Sequence, residues 1–369
     1  MNRLFGWKQT GVFLLALAAG ILPFAVPEVC TAALREGLAL CCGPLLLSLF
    51  PFLVVSRLLI QCPESDLLAL PFRLAAWGIG IRTPCAARVL CIGFLGGFAP
   101  AASAAAQAVR TGQLTAEEAD ALLPACICSG PSFVVLTVGQ SLLGSAELGV
   151  LLFASQITAN YLTAALLNRF AGMHSVKPGS AAPAFPAPPR LDEILADAAI
   201  TYCKLCGFIL FFRMLAAGAG ALLPAGAGTL CSILLEVCSG CDLASRTGRW
   251  GSLLCCAALS VQGLSVLLQV RTICPPEMTL RPLYRARMLH LPLSLALFYL
   301  LLPGGEADVF STLPARILLM RRVPPDCALL VFAVCCMAAC TLRSGIRQVE
   351  QKQMARNAGG CCINSKTLL

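Results

Sequence analysis

Cys128-Ser129-Gly130-Pro131-Ser132 lies in the middle of residues 119–143, a stretch otherwise apolar enough to cross a membrane. Twenty-five residues at ~1.5 Å each exceed the hydrocarbon thickness of a bilayer. Proline removes a backbone hydrogen bond and glycine weakens the helix further. In lipid the freed groups must be satisfied by protein or water, so a break at mid-depth usually lines a cavity. The plain alternative is a kink that lets helices pack closely.

Composition places the chain in a bilayer. Hydrophobic residues make up 58% and charged residues 12% of the 369, with a mean hydropathy of +0.82, whereas soluble domains carry about 25% charged residues. Apolar runs at 10–27, 37–60, 119–143, 148–168, 194–216, 250–270, 287–303 and 325–342 predict about eight spans. The runs 89–109 and 218–241 are rich in Gly, Ala, Pro and Ser, and fit re-entrant hairpins better. Arg3 and Lys8 precede the first run in the manner of a secretion signal; we expect an uncleaved helix.

The 22 cysteines lie mostly within apolar runs, where a free thiol behaves as a small hydrophobe. Cys203-x-x-Cys206 and Cys238-x-x-Cys241 have redox or zinc spacing, but neither has a partner pair or a histidine beside it. The two histidines, His174 and His290, fall in or next to expected loops. No metal or cofactor is implied, beyond a coupling proton or sodium ion.

Loop charge sets the orientation. With eight spans, two non-crossing hairpins and the N-terminus inside, 19 of the 27 Lys and Arg residues are cytoplasmic, Arg287 among them. Six lie outside, and Lys204 and Arg213 fall within a span. This is the positive-inside bias. The same orientation makes the hairpins enter from opposite sides, each followed by a span with a polar break, 128–132 and 260–269. The expected fold is therefore an all-α polytopic membrane protein with an inverted repeat, as in many secondary transporters. The expected divisions are an N-terminal helix and outer loop (1–36), a first repeat (37–170), a Pro-rich cytoplasmic linker (171–193), a second repeat (194–303), an outer loop with the last helix (304–342) and a basic tail (343–369).

Five motifs occur in order: Gly93-Phe94-Leu95-Gly96-Gly97-Phe98-Ala99-Pro100, Gly112-Gln113-Leu114-Thr115-x-Glu117-Glu118-Ala119, Cys128-Ser129-Gly130-Pro131, Leu235-Glu236-Val237-Cys238-Ser239-Gly240 and Leu264-Ser265-Val266-x-x-Gln269-Val270. Over about residues 37–300 the chain resembles the YlbJ-type (SpoVV) sporulation integral membrane proteins, which carry the nucleoside-recognition Gate domain. The resemblance implies a fold related to concentrative nucleoside transporters. It also implies movement of dipicolinic acid across the outer forespore membrane of an endospore-forming bacterium. The chain departs from the family pattern in three places. Ser103 replaces a hairpin lysine, Ile127-Cys128 replaces paired asparagines, and Cys238-Ser239-Gly240 replaces Thr-Asn-Gly.

A membrane site for an anion needs hydrogen-bond donors, helix N-termini or cations, because desolvating the charge is costly. The breaks offer backbone N–H groups. Ser129, Gly130 and Ser132 at the first, and Gln262, Ser265 and Gln269 at the second, are candidate substrate contacts, with Ser260 beside them. Positions 262, 265 and 269 share one face if the helix continues through them; interhelical packing is the alternative. Glu236, with Ser239 beside it, is the acid deep in the second hairpin, and a membrane-buried acid is a functional candidate. It could bind a coupling ion or pair with Lys204, which could itself attract an anion. Glu117, Glu118 and Asp120 read as the capping box of Thr115-x-x-Glu118. The expected function is transport of a small organic anion, dipicolinate before a nucleoside. A non-transporting partner or sensor of the same fold and a membrane thiol oxidoreductase are the alternatives. The expected partners are the anion and the lipid bilayer, without nucleic acid; a homo-oligomer is left open.

Overall fold

The structure, a computed structural model, describes residues 2–62, 64–171 and 191–302. Nearly all of the linker, the last expected span and the basic tail lie outside the described residues. Within them the secondary structure is helical, without a strand. Proline opens α2 (Pro27–Cys42), α3 (Pro44–Gln61) and α6 (Pro84–Gly96) at the first turn, where its missing N–H costs nothing. Short α4 (Ser65–Leu68) and α5 (Leu70–Gly78) lead from α3 into α6.

Among the described residues three helices are long and apolar enough to cross a membrane: α9 (Ala146–Phe170), α10 (Leu191–Leu222) and the interrupted helix of residues 248–273. Residues 15–42 make a fourth if α1 (Asn2–Ala25) and α2, bent by 108° at the break between them, count as one span. Such helices fit an α-helical membrane protein. The expected run 37–60 is not one helix, because Gly43 separates α2 from α3. The second hairpin also begins later than expected, since α10 continues to Leu222.

The order of elements repeats. α6 and α7 (Phe98–Arg110) meet at Gly97 and pack against each other. They are followed by α8 (Ala116–Cys126), a non-helical turn and a π-helix, Ser132–Leu142, that packs along α9. In the second half, α11 (Ala225–Leu235) and α12 (Val237–Ser245) meet at Glu236. Next come α13 (Gly251–Val261), α14 (Gly263–Ile273) and α15 (Arg281–Leu301). α15 packs on α8, α9 and α13, which joins the two halves.

Thr115 forms the expected capping box: its hydroxyl accepts from Glu118 N at 3.1 Å, and Thr115 N donates to the Glu118 carboxylate at 3.0 Å. Asp120 does something else. Its carboxylate accepts from Thr279 N (2.8 Å), the Thr279 hydroxyl (2.6 Å) and Leu280 N (3.1 Å), tying α8 to the turn that starts α15. Leu280 there has φ +56°, which an L residue adopts only when its surroundings hold it.

Candidate functional site

Each helix pair crosses its neighbouring broken helix at the break. Gly97 has φ +81°, and a Cβ added to it would lie 2.7 Å from Gly130 N and 3.0 Å from Gly130 Cα. A Cβ on Gly263 (φ +71°) would lie 2.9 Å from both Glu236 N and Leu235 O. Only glycine allows these backbones so close. One side chain joins the two crossings: Gln262, itself at φ +61°, donates from Nε2 to Ile127 O at 3.2 Å. Four chain breaks therefore meet in one place.

Arg287 lies between them. It is 8% exposed, and it donates from Nη2 to Ile127 O (2.7 Å) and from Nη1 to Ser260 O (3.4 Å). Ile127 ends α8, and Ser260 lies in the last turn of α13. Each helix C-terminus carries roughly half a negative charge, so two of them offset one guanidinium. No carboxylate among the described residues forms an ion pair with it. The expected cytoplasmic loop position of Arg287 is corrected: α15 begins six residues earlier and carries it into the core. His290 is corrected for the same reason. It is buried on α15 with Nε2 at 3.2 Å from Gln156 O.

The expected site residues divide. Ser129 is buried in the first turn, Gly130 is half-buried against Gly97, and Ser132 is exposed where it opens the π-helix. The Glu236 carboxylate accepts from Cys238 N (2.9 Å) and Ser239 N (2.7 Å), so this acid caps α12 and fills its N-terminus. A carboxylate there is favoured by the amide dipoles. No hydrogen bond or ion pair joins Glu236 to Lys204, which lines a separate cavity with Arg57 and Arg110. The helix does not continue through Gln262, so the expected common face keeps only Ser265 and Gln269, joined at 2.9 Å. Ser260 accepts from Gln156 Nε2 at 2.9 Å and lies 2.5 Å from the Ser294 hydroxyl.

Several buried polar atoms around the breaks have no hydrogen-bond partner among the described residues: Arg287 Nε, Gln262 Oε1, Gln269 Oε1, Asn160 Nδ2, Thr163 Oγ1 and His290 Nδ1. Buried groups of this kind are normally met by water or a ligand. The sequence reading missed Asn160, Thr163, Arg287 and His290. Their signal was available as polar faces in apolar helices, Gln156/Asn160/Thr163 on α9 and Arg287/His290/Ser294 on α15. The four Cys-x-x-Cys thiols are free. Beyond the spans, burial first and then the Asp120 charge push the Cys274 thiol up to about 12, against thiolate chemistry.

Comparison with family models, curated proteins and solved structures gives no match.

Proposed function

We propose that this chain is a membrane transporter of a small organic anion, which passes where the four helix breaks meet. The observation that supports this reading best is the buried Arg287 between two interrupted helices, with Asn160 and Gln262 beside it each keeping a buried polar atom without a partner among the described residues. An anion reaching it meets the cation together with the N-terminal amides of α7, the π-helix and α14. Ser129, Gly130 and Ser132 contribute from one half, and Gln262, Ser265 and Gln269 from the other. Glu236 and Ser239 hold the second crossing in shape. The repeated order of hairpin, broken helix and long helix is taken as an inverted repeat within about eight spans, whose rocking gives alternating access. The resemblance makes dipicolinate the substrate and the outer forespore membrane the location, with a proton or sodium ion as the coupling species.

The test is uptake of labelled dipicolinate and of nucleosides into proteoliposomes, with and without a proton or sodium gradient. We expect gradient-dependent dipicolinate uptake that Ser129→Ala and Glu236→Gln reduce at unchanged protein abundance. Equal flux in both variants would sink the site assignment. Binding without flux would favour the sensor.

A further inference from the structure

α3, α7, α10 and α14 line an open cavity of about 360 Å³ that contains none of the break residues. Its polar lining is Arg57, Arg110, Lys204, Asp197, Thr201 and Thr272. Arg57 is 8% exposed. Its Nη1 pairs with the Asp197 carboxylate at 2.5 Å, and its Nη2 donates to the Thr201 hydroxyl at 3.3 Å. Its Nε is buried without a hydrogen-bond partner among the described residues. Arg110 bonds Gln107 through Nε at 3.2 Å, and no ion pair among the described residues engages Arg110 or Lys204.

Three cations around one cavity repel one another, and the single carboxylate offsets only one of them. α7 and α14 end here, and their C-terminal carbonyls help to hold cations in place. The lining keeps a surplus of two positive charges. Arginine presents a planar fork matched to oxyanions, and Lys204 adds a mobile point charge. The volume falls in the range of small-molecule sites.

We propose that this cavity binds a small divalent oxyanion of the phosphate type, at a site separate from the helix breaks. The positive surplus of Arg110 and Lys204 selects charge, and the Arg57 guanidinium, its two Nη atoms held by Asp197 and Thr201, fixes one wall of the site. Its occupant is either free phosphate or the phosphate of an anionic lipid.

The test is calorimetric titration of the purified full chain in phosphatidylcholine nanodiscs with inorganic phosphate at pH 8, and with nitrate as a monovalent control. Saturable phosphate binding is expected, about tenfold tighter than nitrate. Lys204→Gln should weaken it about tenfold, and Asp197→Asn, which removes the offsetting carboxylate, should tighten it. Arg110→Gln, at an exposed position, repeats the Lys204 result if that variant folds poorly. Loss of phosphate binding when phosphatidylglycerol is added to the nanodiscs assigns the site to lipid; unchanged binding assigns it to free phosphate. Binding that does not saturate, equals that of nitrate, or ignores all three substitutions overturns the proposal. No flux is measured, so failure here and failure of the transport reading are separate results.

Discussion

Arg287 shows how one side chain can hold two interrupted helices in register. Its planar fork reaches carbonyls on α8 and α13 at once, which an ammonium on a single stem cannot reproduce. We expect Arg287→Gln to cost about 1.5–3 kcal/mol, the usual worth of a hydrogen bond to a charged group. Arg287→Lys should recover little of it. Thermal unfolding in detergent measures both, and a full rescue by lysine would mean that charge alone matters. Asp120 is the second such residue, with three donors from the α15 turn. Asp120→Ala leaves those donors without their acceptor and should cost about 2–4 kcal/mol, seen as a lower melting temperature. Stability within about 0.5 kcal/mol of wild type, the range of an ordinary surface substitution, would show that water replaces the carboxylate.

At the scale of elements, close backbone approach decides which helices meet. The π-helix lies so near α9 that a Cβ on Gly139 would come within 2.5 Å of Gly149 Cα, and one on Gly149 within 2.7 Å of Val135 Cα. Small residues at such crossings are how helices associate where no hydrophobic drive separates protein from lipid. Gly139→Val should therefore push the pair apart and cost about 1–3 kcal/mol. Gly97→Ala and Gly263→Ala should be as harmful, since each combines an unfavourable φ with a clash against the opposite break. Proteolysis of the reconstituted variants reports loosening at these crossings; wild-type resistance in both would argue against break-on-break packing.

At the scale of the molecule, the all-helical class of the described residues, both broken helices and both helix pairs were legible in the sequence. Helix-breaking Gly and Pro inside apolar runs have few other uses. Helix ends were less legible. Gly43 divides a run that hydropathy reads as continuous, and α10 and α15 begin with exposed polar residues, Asp192 and Glu193 in one and Arg281 and Arg285 in the other, that an apolar window leaves out. Charge counting misplaced Arg287 for a related reason. It assigns a basic residue at a run's edge to water, whereas here two helix C-termini offset the charge locally. Lys204 was legible as a cation in an apolar setting, but not as part of a cavity with Arg57 and Arg110. Those residues come from α3, α7 and α10, separated by long stretches of chain.

Sequence alone determined what depends on local chemistry: an apolar chain with two helix pairs, two spans interrupted by polar residues and a capping box at Thr115. Tertiary structure decided what depends on residues far apart in the chain. It set Gly97 on Gly130 and Glu236 on Gly263, and brought Arg287 to Ile127 across 160 residues. Periodicity encodes which face of a helix is buried. The partner of a buried charge is fixed only when separate helices pack and their unpaired carbonyls find a donor.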